Sequence, residues 1–164
     1  MVQRDEKDDT GERGSNRGQG YKNLIVWKNA QNLRKIIYDI SKRFPKSEYR
    51  RVSQMRDAAR SIKQNIQEGY KRRSIREYMQ SLSVAQGSLS ELRGDIDDCY
   101  EDKLISYTEF NLTTDISAKT DYLFNRLIAS LVLKDKEGGW SRLPSSASLP
   151  SYPSKPSSKG GENK

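Results

Sequence analysis

Between Val26 and Leu131 the apolar side chains return every third or fourth residue, and no stretch alternates them one by one. Such spacing lines one face of a helix and cannot line one face of a strand, whose period is two. The sequence therefore predicts an all-α fold. A first helix, about Leu24 to Phe44, carries Ile25, Val26, Ala30, Leu33, Ile37, Ile40 and Phe44 on one stripe, and Pro45 is expected to end it. A second helix, with Ser47 as its expected cap and Gly69 as its expected stop, carries Val52, Met55, Ala59, Ile62 and Ile66 in steps of three and four.

Ser74-Ile75-Arg76-Glu77 and Ser106-Tyr107-Thr108-Glu109 read as capping boxes, in which hydroxyl and carboxylate satisfy free backbone amides at a helix start. They open a third helix with Leu82, Ala85, Leu89, Leu92, Ile96 and Cys99, and a fourth with Phe110, Leu112, Ile116, Leu123, Leu127 and Leu131. Gly87 and Gly94 each cost a helix about 1 kcal/mol against Ala, which leaves close packing or plain tolerance to explain them. Helices of this length joined by short connections pack as antiparallel neighbours, so the expected architecture is an up-down four-helix bundle over residues 21–136. Residues 1–20 hold one hydrophobe beyond the start, Val2, and 137–164 are rich in Ser, Pro and Gly. Both are expected to be disordered tails, with Trp140 and Leu143 as a candidate docking motif.

Composition narrows the chemistry. The chain has no histidine and one cysteine, which removes the usual general base, the Cys-His nucleophile and the common zinc ligand sets. With no strand there is no nucleotide-binding glycine loop after one, so neither an enzyme nor a cofactor or metal is expected. Asp95, Asp97, Asp98, Glu101 and Asp102 read as a solvated acidic face. A lone Cys99 suits a reducing compartment, and no run of about 18 apolar residues exists to span a membrane; the expected location is the cytoplasm.

Charge is more informative. Lys22–Arg76 holds 16 basic and 4 acidic residues, while Glu77–Lys136 holds 6 basic and 11 acidic. Opposite halves can hold together and still leave positive field over for an anionic partner. Arg56, Arg60 and Lys63 fall on one stripe beside the second seam. Lys71, Arg72 and Arg73 follow the helix end, with Arg76 in the next first turn and Tyr70 and Tyr78 flanking as candidate stacking partners. These seven cations are the candidate nucleic-acid contacts; an acidic protein partner is the alternative.

Three ordered segments carry a resemblance. Tyr21-Lys22-Asn23-Leu24-Ile25-Val26-Trp27-Lys28-Asn29-Ala30 with Phe44-Pro45-Lys46 is the first. Gln54-Met55-Arg56 and Ala58, then Ser61-Ile62-Lys63-Gln64-Asn65-Ile66-Gln67-Glu68-Gly69, is the second, and Ala85-Gln86-Gly87-Ser88-Leu89-Ser90-Glu91-Leu92 the third. Over about Tyr21 to Leu131 the chain resembles the four-helix-bundle proteins encoded within intervening sequences of bacterial large-subunit ribosomal RNA genes. Their relatives include the accessory variability determinant of diversity-generating retroelements. The resemblance implies a homopentamer with a positive surface, and in the retroelement relatives a reverse transcriptase and nucleic acid as partners. It also implies a structural role for Asn65, Glu68 and Gly69, with Asn65 and Glu68 bonding across the corner between the second and third helices, and a packing role for Trp27. Two departures stand out: Asp57 follows Arg56 where the family often has a second arginine, and Lys63 replaces a common proline. The lysine keeps the second helix unbroken and adds a charge; Asp57 removes one. Alternatives to a nucleic-acid-binding accessory protein are an interaction scaffold, or an intervening-sequence-encoded bundle of unknown role, neither binding nucleic acid.

Overall fold

The computed structural model describes residues 19–138. The tails expected at either end, and the Trp140–Leu143 motif, fall almost wholly outside these residues. Four helices make the fold: α1 (Ile25–Ser41), α2 (Tyr49–Tyr70), α3 (Ile75–Glu101) and α4 (Tyr107–Lys136). Single 3-10 turns at Gly20–Asn23 and Lys46–Glu48 lead into α1 and α2, and no strand occurs among the described residues. Each helix packs on its chain neighbour and α4 returns to α1, closing an antiparallel up-down ring with α1 and α3 on one diagonal.

The seams explain the packing. Val26, Ala30, Leu33, Ile37 and Ile40 of α1 are buried, as are Met55, Ala59, Ile62, Ile66 and Gly69 of α2. In α3 the buried set is Ile75, Tyr78, Leu82, Ala85, Leu89, Leu92, Ile96 and Cys99. All step by three and four, the repeat of side chains meshing between nearly parallel rods. Burial of these stripes supplies most of the helical stability, because isolated helices are marginal in water.

The fourth seam differs from expectation. Its inward face is Thr113, Ser117, Thr120, Phe124 and Leu131, while Leu112 is 46% exposed. The repeat runs through hydroxyl residues that hydropathy alone passes over. Thr113 Oγ1 donates to the Glu109 carbonyl at 2.8 Å and Thr120 Oγ1 to that of Ile116 at 2.7 Å, so both hydroxyls are satisfied within their own helix. Ile25 likewise leaves the first stripe and stands 64% exposed.

Both capping boxes form as expected, around Ser74 with Glu77 and Ser106 with Glu109. Ser47 does not cap α2: it sits inside the 3-10 turn, and the residue before the helix, Glu48, makes no capping bond through its side chain. α1 stops at Ser41, short of Phe44, and turns whose Arg43 and Phe44 N–H groups donate to the Ile40 and Ser41 carbonyls carry the chain to Pro45. Ion pairs join the two oppositely charged halves at the bundle ends: Arg43 with Glu109, Arg51 with Asp102 at 2.6 Å, and Arg76 with Asp135 at 3.2 Å.

Close packing falls to Gly69, and Gly87 and Gly94 are simply tolerated. Gly69 lies inside α2 and does not stop it; a Cβ there would fall 2.7 Å from Ser81 Cβ and 3.0 Å from the Tyr78 ring, so its bareness lets α3 approach. Gly87 and Gly94 meet nothing within 4 Å, which removes the close-packing explanation for both. In urea unfolding, Gly87→Ala and Gly94→Ala should each raise stability by up to about 1 kcal/mol. Gly69→Ala should lower it by roughly 1–2 kcal/mol, overpacking outweighing the gain in helix propensity.

Candidate nucleic-acid interface

Arg56, Arg60 and Lys63 each follow a seam residue of α2: Met55, Ala59 and Ile62. That offset turns them toward α1, whose residues in the same offset are Trp27, Gln31, Arg34 and Tyr38. Arg56 is fixed there. Its Nε donates to Ser41 Oγ at 2.8 Å and its guanidinium lies 4.4 Å from the Tyr38 ring centre. Arg34, Tyr38, Arg56, Asp57 and Arg60 line a hollow of about 160 Å³ on this face. Arg60 pairs with Asp57 at 3.3 Å, but both side chains are about 60% exposed, so the pair holds weakly.

Further along, Lys63 Nζ stands 5.8 Å from the centre of the Trp27 ring. Burial, and then the charge of Arg34, lowers the Lys63 ammonium below the ordinary lysine pKa. Trp27 meets Tyr21 edge-on at 5.4 Å, and Lys71 Nζ lies 5.6 Å from the Tyr21 ring centre. The stripe and the corner are thus bridged by two aromatic rings. From Arg56 to Lys71 the track runs about 22 Å at 1.5 Å per helical residue. Arg72 and Arg73 are exposed in the turn that ends it. Arg76 points elsewhere: it is 83% exposed and pairs with Asp135 of α4.

Of the two tyrosines expected to stack on bases, Tyr78 is not available to do so. Tyr78 is buried, and it and Tyr21 both pack edge-to-face on Tyr70 at 6.3 Å. These rings tie the chain's entry to the corner. Arg34 and Tyr38 were missed because they belong to a different helix; the signal available was their register one step beyond the α1 seam residues Leu33 and Ile37.

The residues expected to brace the corner behave differently from one another. Asn65 Nδ2 donates to the Ser61 carbonyl at 2.9 Å and to Ser61 Oγ at 3.1 Å, turning back along α2 and not across the corner. Ser61 Oγ in turn lies 2.9 Å from Ser88 Oγ of α3. The Glu68 side chain is exposed; its backbone carbonyl accepts the Lys71 N–H at 3.0 Å. Gly69 makes the close approach already described. Trp27 packs against the core, its Nε1 buried with no hydrogen-bond partner among the described residues.

On the other flank of α2 the chemistry reverses. Gln54, Asp57, Ala58 and Ser61 face Ser88, Glu91, Gly94, Asp95 and Asp98 across a groove of about 650 Å³. Burial, with Asp98 and Glu91 nearby, raises the Asp95 carboxyl above the ordinary aspartate pKa, against the pull of Arg51. No group of three or more His, Cys, Asp or Glu among the described residues is arranged to hold a metal, and no described helix is long and apolar enough to cross a membrane.

Residues 22–126 match the family model described as 23S rRNA-intervening sequence protein. The chain belongs to that family. Among solved structures it is similar to a protein of unknown function from the S23 ribosomal protein family of Bacteroides thetaiotaomicron VPI-5482. That similarity has 18% identity and a TM-score of 0.53, covering 63% of this chain and 98% of the other. At this identity the likeness speaks for the fold alone. No curated protein sequence matches. Membership accounts for the four-helix bundle, and the intact α2 through Lys63 fits the departure from proline noted above.

Cys99 is fully buried at the seam, and burial pushes its thiol up to about 11 despite Arg51 nearby. A thiol-reactive dye at pH 8 should leave it unlabelled until the protein unfolds. Because the folded pKa is raised, the unfolded thiol ionises first. The thiol therefore leaves stability untouched below about pH 9 and lowers it as pH climbs toward 11. In Cys99→Ala that fall should be shallower.

Proposed function

We propose that the α1/α2 face binds RNA or DNA through its phosphates. The chain then acts as a non-catalytic assembly module, accessory to a reverse transcriptase of the diversity-generating retroelement kind. The observation that carries the reading is the continuity of Arg34, Arg56, Arg60, Lys63 and Lys71 along one face, extended by Arg72 and Arg73 at the turn. Arg56 arrives already positioned by Ser41 and Tyr38, so little side-chain entropy is lost when a phosphate docks. Arg76 contributes at the margin, since its exposed pair with Asp135 is weak. Gly69 and Asn65 keep structural roles, one setting the approach of α3 and the other holding Ser61. The resemblance to retroelement accessory proteins supports the reverse transcriptase as partner.

Self-association is part of the same reading. The α1/α4 flank is mainly apolar, with Ile25 and Tyr122 more than half exposed beside a hollow of about 570 Å³ also lined by Asn29, Ala118, Lys119 and Leu123. Family resemblance favours five copies. Light scattering should give a mass near five times the 18.8 kDa of one chain; a monomer removes the pentamer.

Each neutralised phosphate releases counterions, so affinity should fall steeply with salt. If about six cations engage one strand, log K against log salt should slope near −4. Arg56→Gln, Arg60→Gln and Lys63→Gln together should flatten that slope by about 2. An affinity for single-stranded RNA that does not change between about 50 and 200 mM salt would overturn the electrostatic mechanism. Capture of the reverse transcriptase that survives nuclease treatment would favour the scaffold reading instead.

A further inference from the structure

The chain enters the bundle at the end of the basic track. Gln19 accepts bonds from Lys22 through both its backbone carbonyl and its Oε1, Gly20 packs on the Tyr70 ring, and Tyr21 is buried beneath Lys71. Just before this anchor the sequence reads Asp5-Glu6-Lys7-Asp8-Asp9-Thr10-Gly11-Glu12, five carboxylates against one lysine. The connection back to Gln19 is Arg13-Gly14-Ser15-Asn16-Arg17-Gly18.

We infer that the acidic stretch Asp5–Glu12 docks on the α1/α2 basic face of its own chain and occupies the places of nucleic-acid phosphates there. Charge complementarity selects that face over the others. The α2/α3 groove carries Asp57, Glu91, Asp95 and Asp98 and repels the stretch, and the mainly apolar α1/α4 flank offers one cation, Lys119, already paired with Asp115. Length fits as well. A flexible connection spans on average about 5–6 Å times the square root of its residue number, so a tether of the length from Gln19 to Glu12 reaches about 15 Å and one to Asp5 about 21 Å. Measured from Lys71, Lys63 is about 12 Å away and Arg56 about 22 Å. A tether whose mean span matches the separation of its sites gives the highest effective concentration. Docking needs no ligand; only the competition with phosphates rests on the function proposed above. Its consequence is a threshold: an anion must out-compete a tethered carboxylate cluster, which favours long polyanions over small phosphates.

The test uses the full chain carrying Gln3→Cys. A nitroxide reagent labels position 3 and spares Cys99, which is buried. At about 50 mM salt, where surface attraction is little screened, amide signals of Arg34, Arg56, Arg60 and Lys63 should broaden and those of Glu91, Asp95 and Asp98 should not. Asp5→Asn, Asp8→Asn and Asp9→Asn together should abolish the broadening. Equal broadening on both faces, none on either, or broadening seen only between separately labelled chains would overturn the contact. In a second arm, the same triple variant should bind a single-stranded RNA oligonucleotide several-fold more tightly at low salt. Asp97→Asn, Asp98→Asn and Glu101→Gln, an equal charge change on α3, should shift it less than twofold. An equal gain in both variants would overturn the competition. If the broadening is present and neither chain binds RNA, the docking stands and the nucleic-acid reading falls.

Discussion

Seam burial fixes far more than the core. Once the three-four repeat of each helix points inward, the residue one step after a seam position and the residue one step before it are forced onto opposite flanks. In α2 the following residues are Arg56, Arg60 and Lys63, and the preceding ones Gln54, Ala58 and Ser61. In an antiparallel ring, like flanks meet. The after-flank of α2 therefore faces the after-flank of α1, with Trp27, Arg34 and Tyr38, while its before-flank faces the before-flank of α3, with Ser88, Glu91, Asp95 and Asp98. A basic track and an acidic groove are the two sides of one stripe of isoleucine and alanine.

The remaining contacts obey the same bookkeeping. After-flank residues of α3 and α4 meet where Gln86 donates to Asp121 and Asn125, and Arg93 approaches Asp121. Before-flank residues of α4 and α1 meet at Ile25, Asn29, Lys119 and Leu123. Four interfaces thus have four characters: cationic, anionic, amide-rich and apolar. Among the described residues, ion pairs at the ends hold the charged halves together, which leaves the middle-turn cations of α2 with only the weak Arg60–Asp57 pair.

Much of the fold was legible because apolar periodicity and two Ser-x-x-Glu boxes are local signals. What failed was hydropathy where the repeat passes through other chemistry. Thr113, Ser117 and Thr120 keep the heptad of α4 but read as polar, so Leu112 was drawn inward in their place. Gly69 keeps the heptad of α2 but reads as a stop. The candidate site was half legible: Arg56, Arg60 and Lys63 declare a stripe within one helix, yet the partner helix that completes it with Arg34 and Tyr38 follows only from the flank geometry. The joining of that stripe to Lys71 depends on Tyr21 and Trp27, which a helical pattern of α2 alone does not contain. Tyr78 misled because position 78 belongs to the α3 seam and so had to be buried.

The hydroxyl-lined face of α4 has a thermodynamic corollary. Three consecutive inward positions there shed little apolar area on docking, so the middle turns of this helix hold on through shape and self-satisfied hydroxyls more than through water exclusion. Ser117 Oγ, buried without a partner among the described residues, weakens the grip further. Amide protons in those turns should belong to the least protected cooperative unit of the bundle. Peeling α4 back would bare the greasy flank of α1, linking the looseness of one helix to the stickiness of another.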